Sequence, residues 1–217
     1  MVRHFTDEMR LAVLASGSGS NFQAILDAID RGVLRARVVL CLSNQPDAAV
    51  LERARGAGVT ALVLPPRAAG PDAEREAIEQ GLSESGANFI ALAGYLRLIP
   101  AEVVRAYHGR MINIHPALLP AFGGPGMYGR RVHQAVLAYG VRWTGVTVHL
   151  VDEQYDTGPI VLQEPIPVAQ GDTVESLAER VLEAEHRLYP EALRLFADGR
   201  IRVQGRVVRI LDLQENA

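Results

Sequence analysis

The chain alternates short apolar runs with stretches of helical periodicity. Residues 11–15, Leu11-Ala12-Val13-Leu14-Ala15, form a continuous apolar run ahead of a glycine-rich turn. Such a run reads as a strand buried on both faces of a parallel sheet. The turn is Ser16-Gly17-Ser18-Gly19-Ser20-Asn21. Phe22, Ile25, Leu26 and Ile29 then recur along one helix face, and Gly32 closes the helix. The pattern repeats with a strand at 38–42, a turn at 43–46, a helix at 48–57 and a third strand at 59–64. A loop at 65–71 leads to an amphipathic helix at 72–85. A fourth strand at 89–93 is left through Gly94-Tyr95-Leu96-Arg97-Leu98. A short helix at 100–107 precedes a fifth strand, which starts at Met111 and ends at Asn113 and His115. Residues 1–9 read as a polar, ragged terminus.

The second half changes character. Residues 120–129 are rich in Gly and Pro and read as a loop, followed by a helix at 132–139. A strand at 145–151 carries Thr147, His149 and Val151 on one face. The polar loop 152–159 contains Asp156, and the chain returns as a strand at 160–168. A long helix spans 174–195, with Asp172-Thr173 at its cap and Pro190 as the point where it kinks or splits. A hairpin, 201–203 with 207–210, ends the chain. Alternating strands and helices predict an α/β fold, Rossmann-like, with a largely parallel central sheet flanked by helices. The chain reads as a single domain over 1–217, with no linker, repeat or low-complexity segment. Ligands of such sheets bind beyond the carboxyl ends of the strands. The glycine turn, Arg97, Asn113 and His115 all fall there.

Composition narrows the chemistry. A formal charge of −3 is too mild for a nucleic-acid binder. All 22 basic residues are Arg, so Schiff-base chemistry, pyridoxal attachment and a Walker lysine are excluded. Cys41 is the lone cysteine, which excludes a disulfide within the chain and a thiolate zinc cluster; its apolar setting makes it core. No signal peptide or membrane-spanning run is visible, which predicts a cytoplasmic protein without membrane partners. The His residues are scattered without a metal-binding motif, so no metal is expected. His149 reads as structural, His4 and His108 as solvated, and His133 and His186 as either lining a site or capping helices.

Asn113 and His115 lie two apart on a strand and therefore share a face. Pro116 then ends the strand. An imidazole moves protons near neutral pH, and a carboxamide N–H stabilises an oxyanion. Asp156 is either a turn aspartate or a carboxylate set beside His115, where it would favour the charged imidazole and raise its pKa. Together the three suit acyl transfer to an amine. The glycine turn lacks the marks of a dinucleotide site: Phe22 stands at the third glycine position, and Ser43-Asn44 replaces the ribose-binding acid. A single phosphate cradled by Ser18, Gly19, Ser20 and Asn21 fits better; the plainer alternative is a tight turn with a capping Asn. There is no Gly-x-Ser-x-Gly elbow of a serine hydrolase.

The segments Ser16 to Asn21, Ala93-Gly94-Tyr95-Leu96-Arg97, Asn113-Ile114-His115-Pro116-Ala117-Leu118-Leu119-Pro120, Gly145-Val146-Thr147-Val148-His149, Asp156-Thr157-Gly158-Pro159-Ile160 and Glu185-His186-Arg187-Leu188-Tyr189-Pro190 occur in this order over nearly the whole chain. Together they resemble the phosphoribosylglycinamide formyltransferase family. The resemblance implies formyl transfer from 10-formyltetrahydrofolate, as co-substrate, to the amine of glycinamide ribonucleotide in purine biosynthesis, with no metal or bound prosthetic group. It implies that Asn113 bonds the formyl oxygen, that His115 acts as general acid, and that Asp156 polarises the His and a proton-carrying water. It also implies phosphate binding by Ser18, Gly19, Ser20 and Asn21, and an amine contact from Glu185. Leu96, Arg97, Leu98, Ile99 and Asn113, with the loop 151–156, would form the folate pocket. The N-terminal half would then hold the ribotide, and the C-terminal half the folate and the catalytic groups. The chain departs from the family pattern where an Arg often reaches substrate; Pro71 or Arg75 stands there. The segment 125–131 is also longer than in some members, with His133 keeping one family position. The related alternatives are a formyltetrahydrofolate hydrolase or a sugar-nucleotide formyltransferase. A transfer-RNA formyltransferase would need a large basic C-terminal domain. A phosphate-binding module is the non-enzyme alternative. The sequence leaves the oligomeric state open, a homodimer included.

Overall fold

The computed structural model describes residues 8–212. A seven-stranded sheet runs in the order β3-β2-β1-β4-β5-β6-β7. Its strands are β1 (Met9–Leu14), β2 (Ala36–Ser43), β3 (Thr60–Val63), β4 (Phe89–Leu92), β5 (Met111–His115), β6 (Trp143–Leu150) and β7 (Ile160–Pro167). The first five are mutually parallel; β6 runs antiparallel to β5, and β7 antiparallel to β6. The helices are α1 (Ser20–Asp30), α2 (Ala49–Gly56), α3 (Pro71–Ser85), α4 (Ala101–Ala106), α5 (Arg130–Tyr139) and α6 (Val174–Ala197), and a hairpin of β8 (Ile201–Gln204) and β9 (Val207–Ile210) follows.

Strand alternation divides the core between the two faces of the sheet. Leu11, Val13, Phe89, Ala91, Ile112 and Ile114 pack beneath α1, α5 and α6. Ala12, Leu14, Ile90, Leu92 and Met111 point the other way, against α3 and α4. Because β1 and β4 are buried on both faces, they read as unbroken apolar runs. The chain winds outward from β1 through β2 to β3, then restarts on the other side at β4. The order therefore reverses between β1 and β4, where a crevice opens at the strand ends.

Three expectations need correction. Residues 9 and 10 belong to β1, because Met9 is buried and pairs with Ala36; residues 1–7, with His4, lie outside the described residues. α6 runs unbroken through Pro190. Proline denies one helical hydrogen bond, to the His186 carbonyl, at a cost of about 3 kcal/mol. Burial of Tyr189, Leu193 and Phe196 outweighs it, and the Tyr189 hydroxyl donates to the carbonyls of Leu92 (2.9 Å) and Ile112 (3.2 Å). Finally, α1 has no side-chain cap, so Asn21 is not a capping residue. Cys41 is buried as expected, and burial pushes its thiol up to about 12. His108 is exposed, also as expected. Among the described residues no helix is long and apolar enough to cross a membrane.

Candidate active site

A cavity of about 480 Å³ opens at the crevice. The glycine turn, the exit from β4, the end of β5, the 124–129 loop, the Asp156 loop and Glu185 of α6 all border it. The structure therefore brings together the residues that the resemblance assigns to phosphate, folate and catalysis, from Ser18 to Glu185.

At the centre, β5 delivers Asn113 and His115, and His115 is only 3% exposed. The antiparallel register sets His149 of β6 directly opposite Asn113. Asn113 Nδ2 donates to His149 Nε2 at 3.1 Å and reaches Asp156 Oδ1 at 3.5 Å. His149 Nδ1–H donates to the Leu150 carbonyl at 2.8 Å, which leaves Nε2 as the acceptor. His149 thus fills its strand position with hydrogen bonds, as expected, but it also lines the cavity and orients Asn113. Nothing in the sequence marks it beyond the alternation that puts it on the Thr147 face.

His115 Nε2–H donates to the Phe122 carbonyl at 2.8 Å. A carbonyl accepts only, so the proton of the neutral ring is assigned to Nε2. Nδ1 faces Asp156 Oδ2 at 3.5 Å, and the same oxygen accepts the Gly124 N–H at 2.8 Å. Asp156 itself has a left-handed backbone, with φ 58°. Gly158 permits this loop path, since a Cβ there would run into the Leu150 carbonyl. Asp152 braces the same turn by accepting from Gln154 N–H (3.0 Å) and Thr157 Oγ1 (2.7 Å).

The electrostatics correct one expectation. Burial pushes the His115 pKa down, and it outweighs the upward pull of the Asp156 carboxylate and the Phe122 carbonyl; the net direction is below the ordinary value. The carboxylate is where the sequence suggested, but desolvation wins. Asp156 goes the other way. Burial raises its pKa, yet the imidazoles of His149 and His115 and the Gly124 N–H hold it below the usual carboxylate range.

The glycine turn is stitched to both neighbouring strand exits. Ser16 Oγ donates to Asn44 Oδ1 at 2.5 Å and accepts the Leu96 N–H at 3.0 Å. Arg53 Nε–H donates to the Ser18 carbonyl at 2.8 Å. Gly19 has φ +74°, and a Cβ there would lie 2.9 Å from Val50 Cα. Its glycine is needed for the left-handed backbone and for packing on α2. Asn21 turns its side chain away from the turn, donating to Glu185 Oε2 at 2.7 Å. Burial lifts the Glu185 carboxyl to about 7, partly opposed by that hydrogen bond.

Leu96 and Leu98 reach the cavity half-open to solvent, with Ile99 buried behind them. Arg97 lines the cavity, but its guanidinium is committed elsewhere. Nη1 donates to Glu74 Oε2 of α3 at 2.9 Å and to the Pro65 carbonyl at 3.0 Å. The pair is 11% and 14% exposed, and Tyr95 Oη donates to the other Glu74 oxygen at 2.5 Å. Arg97 thus clamps α3 to the β4 exit. Arg75 pairs along its own helix, with Glu79 at 2.8 Å. His133 is buried on α5, with Nδ1 unpartnered, and lies outside the cavity lining. His186 borders a separate groove with Arg53 and Asp27. Met127 and Tyr128 line the cavity too; the loop that carries them showed only its glycines and prolines in sequence. Among the described residues no group of three or more His, Cys, Asp or Glu is placed to hold a metal ion.

Comparison with known proteins agrees with this fold. The family described as formyl transferase matches residues 9–193. The chloroplastic phosphoribosylglycinamide formyltransferase of Arabidopsis thaliana is 43% identical over 222 residues, covering 98% of this chain and 74% of that protein. The phosphoribosylglycinamide formyltransferase of Bacillus subtilis (strain 168) is 40% identical over 186 residues, covering 85% and 93%. Among solved structures, glycinamide ribonucleotide transformylase 1 from Symbiobacterium toebii superposes with a TM-score of 0.88 at 47% identity, covering 94% of this chain and 95% of that one.

Proposed function

The chain belongs to the formyl transferase family, and on that premise we infer that it moves a formyl group from 10-formyltetrahydrofolate to the amine of glycinamide ribonucleotide in purine biosynthesis. The names of its relatives support this acceptor over water or an amino sugar. The observation that carries the reading is the meeting of Asn113, His115 and Asp156 at one end of the cavity that the glycine turn also borders. A phosphate-binding module would leave those three side chains without a common purpose.

Each side chain has a task in this chemistry. The backbone N–H groups from Ser18 to Asn21, at the start of α1, hold the ribotide phosphate. Leu96, Leu98 and Ile99, with Val151, give a flat heteroaromatic ring an apolar slot with polar edges. Arg97 keeps that slot's wall in place through Glu74. The amine attacks the formyl carbon, and the carbonyl π electrons move to oxygen. Asn113 Nδ2 then meets the oxyanion, as does His115 once protonated. Asp156 favours the imidazolium, which is worth more in the transition state than in the resting site, where burial keeps His115 neutral. A proton passes to the departing folate nitrogen as the C–N bond breaks. The folate enters as co-substrate, and the residues present supply this chemistry without metal or prosthetic group. The whole chain acts as one formyltransferase domain in the cytoplasm; the Arabidopsis relative carries a chloroplastic name. A homodimer is compatible with this reading.

The test is a formyl-transfer assay with 10-formyltetrahydrofolate and three acceptors: glycinamide ribonucleotide, water and an amino sugar nucleotide. Turnover with the ribotide at least a hundredfold above the others is expected. Preferential hydrolysis, or transfer to the sugar, would replace the reading with its alternative.

A further inference from the structure

Alternation on β6 sends Val146, Val148 and Leu150 into the core beneath α6, and Gly145, Thr147 and His149 to the opposite face. Register lines up a row across three strands: His115 of β5 pairs with Thr147, and Thr147 with Gln163 of β7. The chain leaving β5 turns back over this row. Leu118 lies on Gly145, where a Cβ would come within 2.6 Å of Leu118 Cδ2. Thr147 is fully buried, and its hydroxyl uses every bond it can make. Oγ1 donates to the Ala117 carbonyl at 2.7 Å and accepts the Leu119 N–H at 3.1 Å. It also accepts from Gln163 Nε2 at 2.9 Å, and the same amide donates to the Leu119 carbonyl at 3.0 Å. Neither Thr147 nor Gln163 lines the cavity.

What this anchor holds is the start of the 120–129 loop. Gly123 lies between Leu119 and Asp156: a Cβ there would fall 2.5 Å from Leu119 Cδ2 and 3.2 Å from Asp156 Cβ. Its neighbours in the chain are Phe122, whose carbonyl takes His115 Nε2–H, and Gly124, whose N–H goes to Asp156 Oδ2. Two acceptors thus compete for the single proton of a neutral His115 ring. The Phe122 carbonyl is 2.8 Å from Nε2, at full hydrogen-bond strength, and the Asp156 carboxylate is 3.5 Å from Nδ1, at the outer edge of reach. At equal distance a carboxylate is the stronger acceptor. The carbonyl wins because the loop brings it closer, and the loop rests on Leu119. We propose that Thr147 is a positioning residue for the transfer: by anchoring residues 117–119, it decides which nitrogen of His115 carries the proton. This rests on the formyl-transfer reading above.

The choice of nitrogen matters to the chemistry. With the ring proton on Nε2, the lone pair of Nδ1 faces Asp156, and the proton that makes the imidazolium sits between ring and carboxylate. With the ring proton on Nδ1, that side is already filled. The lone pair then points at the Phe122 carbonyl, which has no proton to give. Only the first tautomer lets Asp156 favour the added charge. His149 does not disturb the arrangement, since it approaches the other carboxylate oxygen, Asp156 Oδ1, at 3.6 Å and leaves Oδ2 to His115. A buried hydroxyl on β6, outside the cavity, thus sets the state of the imidazole inside it.

Thr147→Val keeps the shape of the side chain and removes the hydroxyl; Thr147→Ser keeps the hydroxyl. Nitrogen-15 NMR at about pH 8, where the His115 ring is neutral, distinguishes the two tautomers. The wild type and Thr147→Ser should carry the His115 proton on Nε2, and Thr147→Val should carry a substantial share on Nδ1. In Thr147→Val the kcat for formyl transfer should fall on the order of tenfold or more, as for catalytic groups displaced by about 1 Å. Its KM for the ribotide should stay within about twofold, because the glycine turn hangs on Ser16 and Arg53. Thr147→Ser should keep kcat within about threefold of the wild type. A loss of stability alone would move neither the tautomer nor the split between kcat and KM. An unchanged tautomer in Thr147→Val, or a ring proton on Nδ1 in the wild type, overturns the proposal. So does a loss of kcat that Thr147→Ser shares. If Thr147→Val does not fold, Gln163→Met, on the exposed edge strand, removes the outer half of the anchor, and an unchanged tautomer there overturns it equally. A wild-type protein that formylates no ribotide would overturn the formyl-transfer reading instead, while the tautomer measurement still decides the anchor.

Discussion

His115 sits under opposing influences, and their balance decides how it works. Burial favours the neutral ring; Asp156, 3.5 Å from Nδ1, and the Phe122 carbonyl favour the charged one. Burial therefore favours a neutral imidazole at rest, and in the proposed reaction it becomes a cation only when an oxyanion forms beside it. Asp156→Asn removes one upward pull and leaves the desolvation in place. The limb of kcat that reports His115 protonation should then move to lower pH, and kcat at pH 7 should fall on the order of a hundredfold. His115→Ala should lose a similar amount. The double variant should lose far less than the product, because groups that act as one unit are non-additive. Steady-state kinetics at saturating substrates closes the cycle, and losses that simply multiply would dissolve the pair. The identities of Asn113, His115 and Asp156 were legible in sequence because strand spacing and a polar loop set them apart. The sign of the His115 shift was not, since it depends on how deeply the ring is buried.

At the scale of elements, the loop from β6 to β7 is held by contacts that tolerate no side chain at Gly158. A Cβ there meets the Leu150 carbonyl, so Gly158→Ala must push the loop outward and carry Asp156 with it. Stability should drop on the order of 2 kcal/mol, as for other backbone clashes. Turnover should fall tenfold or more, since catalytic groups displaced by about 1 Å lose that much or worse. The KM for the ribotide should stay within about twofold, because the glycine turn hangs on Ser16, Asn44 and Arg53 instead. Denaturant titration with kinetics on one preparation tests all three, and an unaltered variant would show that the loop yields locally. The strands and helices themselves were readable from periodicity, within a few residues at their ends. What the pattern could not show was long-range pairing. Arg97 finds Glu74 on another helix, Asn21 finds Glu185 near the far end of the chain, and the 120–129 loop lends its Phe122 carbonyl and Gly124 N–H to the central pair. Nor could it show that α6 survives Pro190, which is decided by burial and not by propensity.

For the whole molecule, the placement of Glu185 at the cavity wall works against the fold. The sheet order creates the crevice between β1 and β4, and Glu185, on the buried face of α6, borders the cavity there. A carboxyl group on that face is drained of water, which lifts it from 4.5 to about 7. Below pH 4.5 the group is protonated whether the chain is folded or not, and its burial adds no ionisation penalty. Between pH 4.5 and 7 the unfolded chain ionises while the folded one does not yet, so the folded state binds more protons and stability declines as pH rises. Above pH 7 the full penalty is in force, up to roughly 3 kcal/mol. His115 and Asp156 have the opposite slope. Their lowered values withdraw stability as pH falls, His115 from about 6.5 and Asp156 below about 3.8. Glu185→Gln should therefore be more stable than the wild type at pH 8, with a melting temperature several degrees higher. The gain should fade as pH is lowered and vanish by about pH 4.5, while the slopes from His115 and Asp156 remain in both proteins. Thermal melts of the two across pH 4 to 8 make the comparison. A gain at pH 8 in a variant that also turns over more slowly would locate Glu185 among residues kept for activity at the expense of stability. Equal melting temperatures at every pH would mean that the carboxylate is solvated well enough to ionise freely, and would remove the physical reason for its proton affinity.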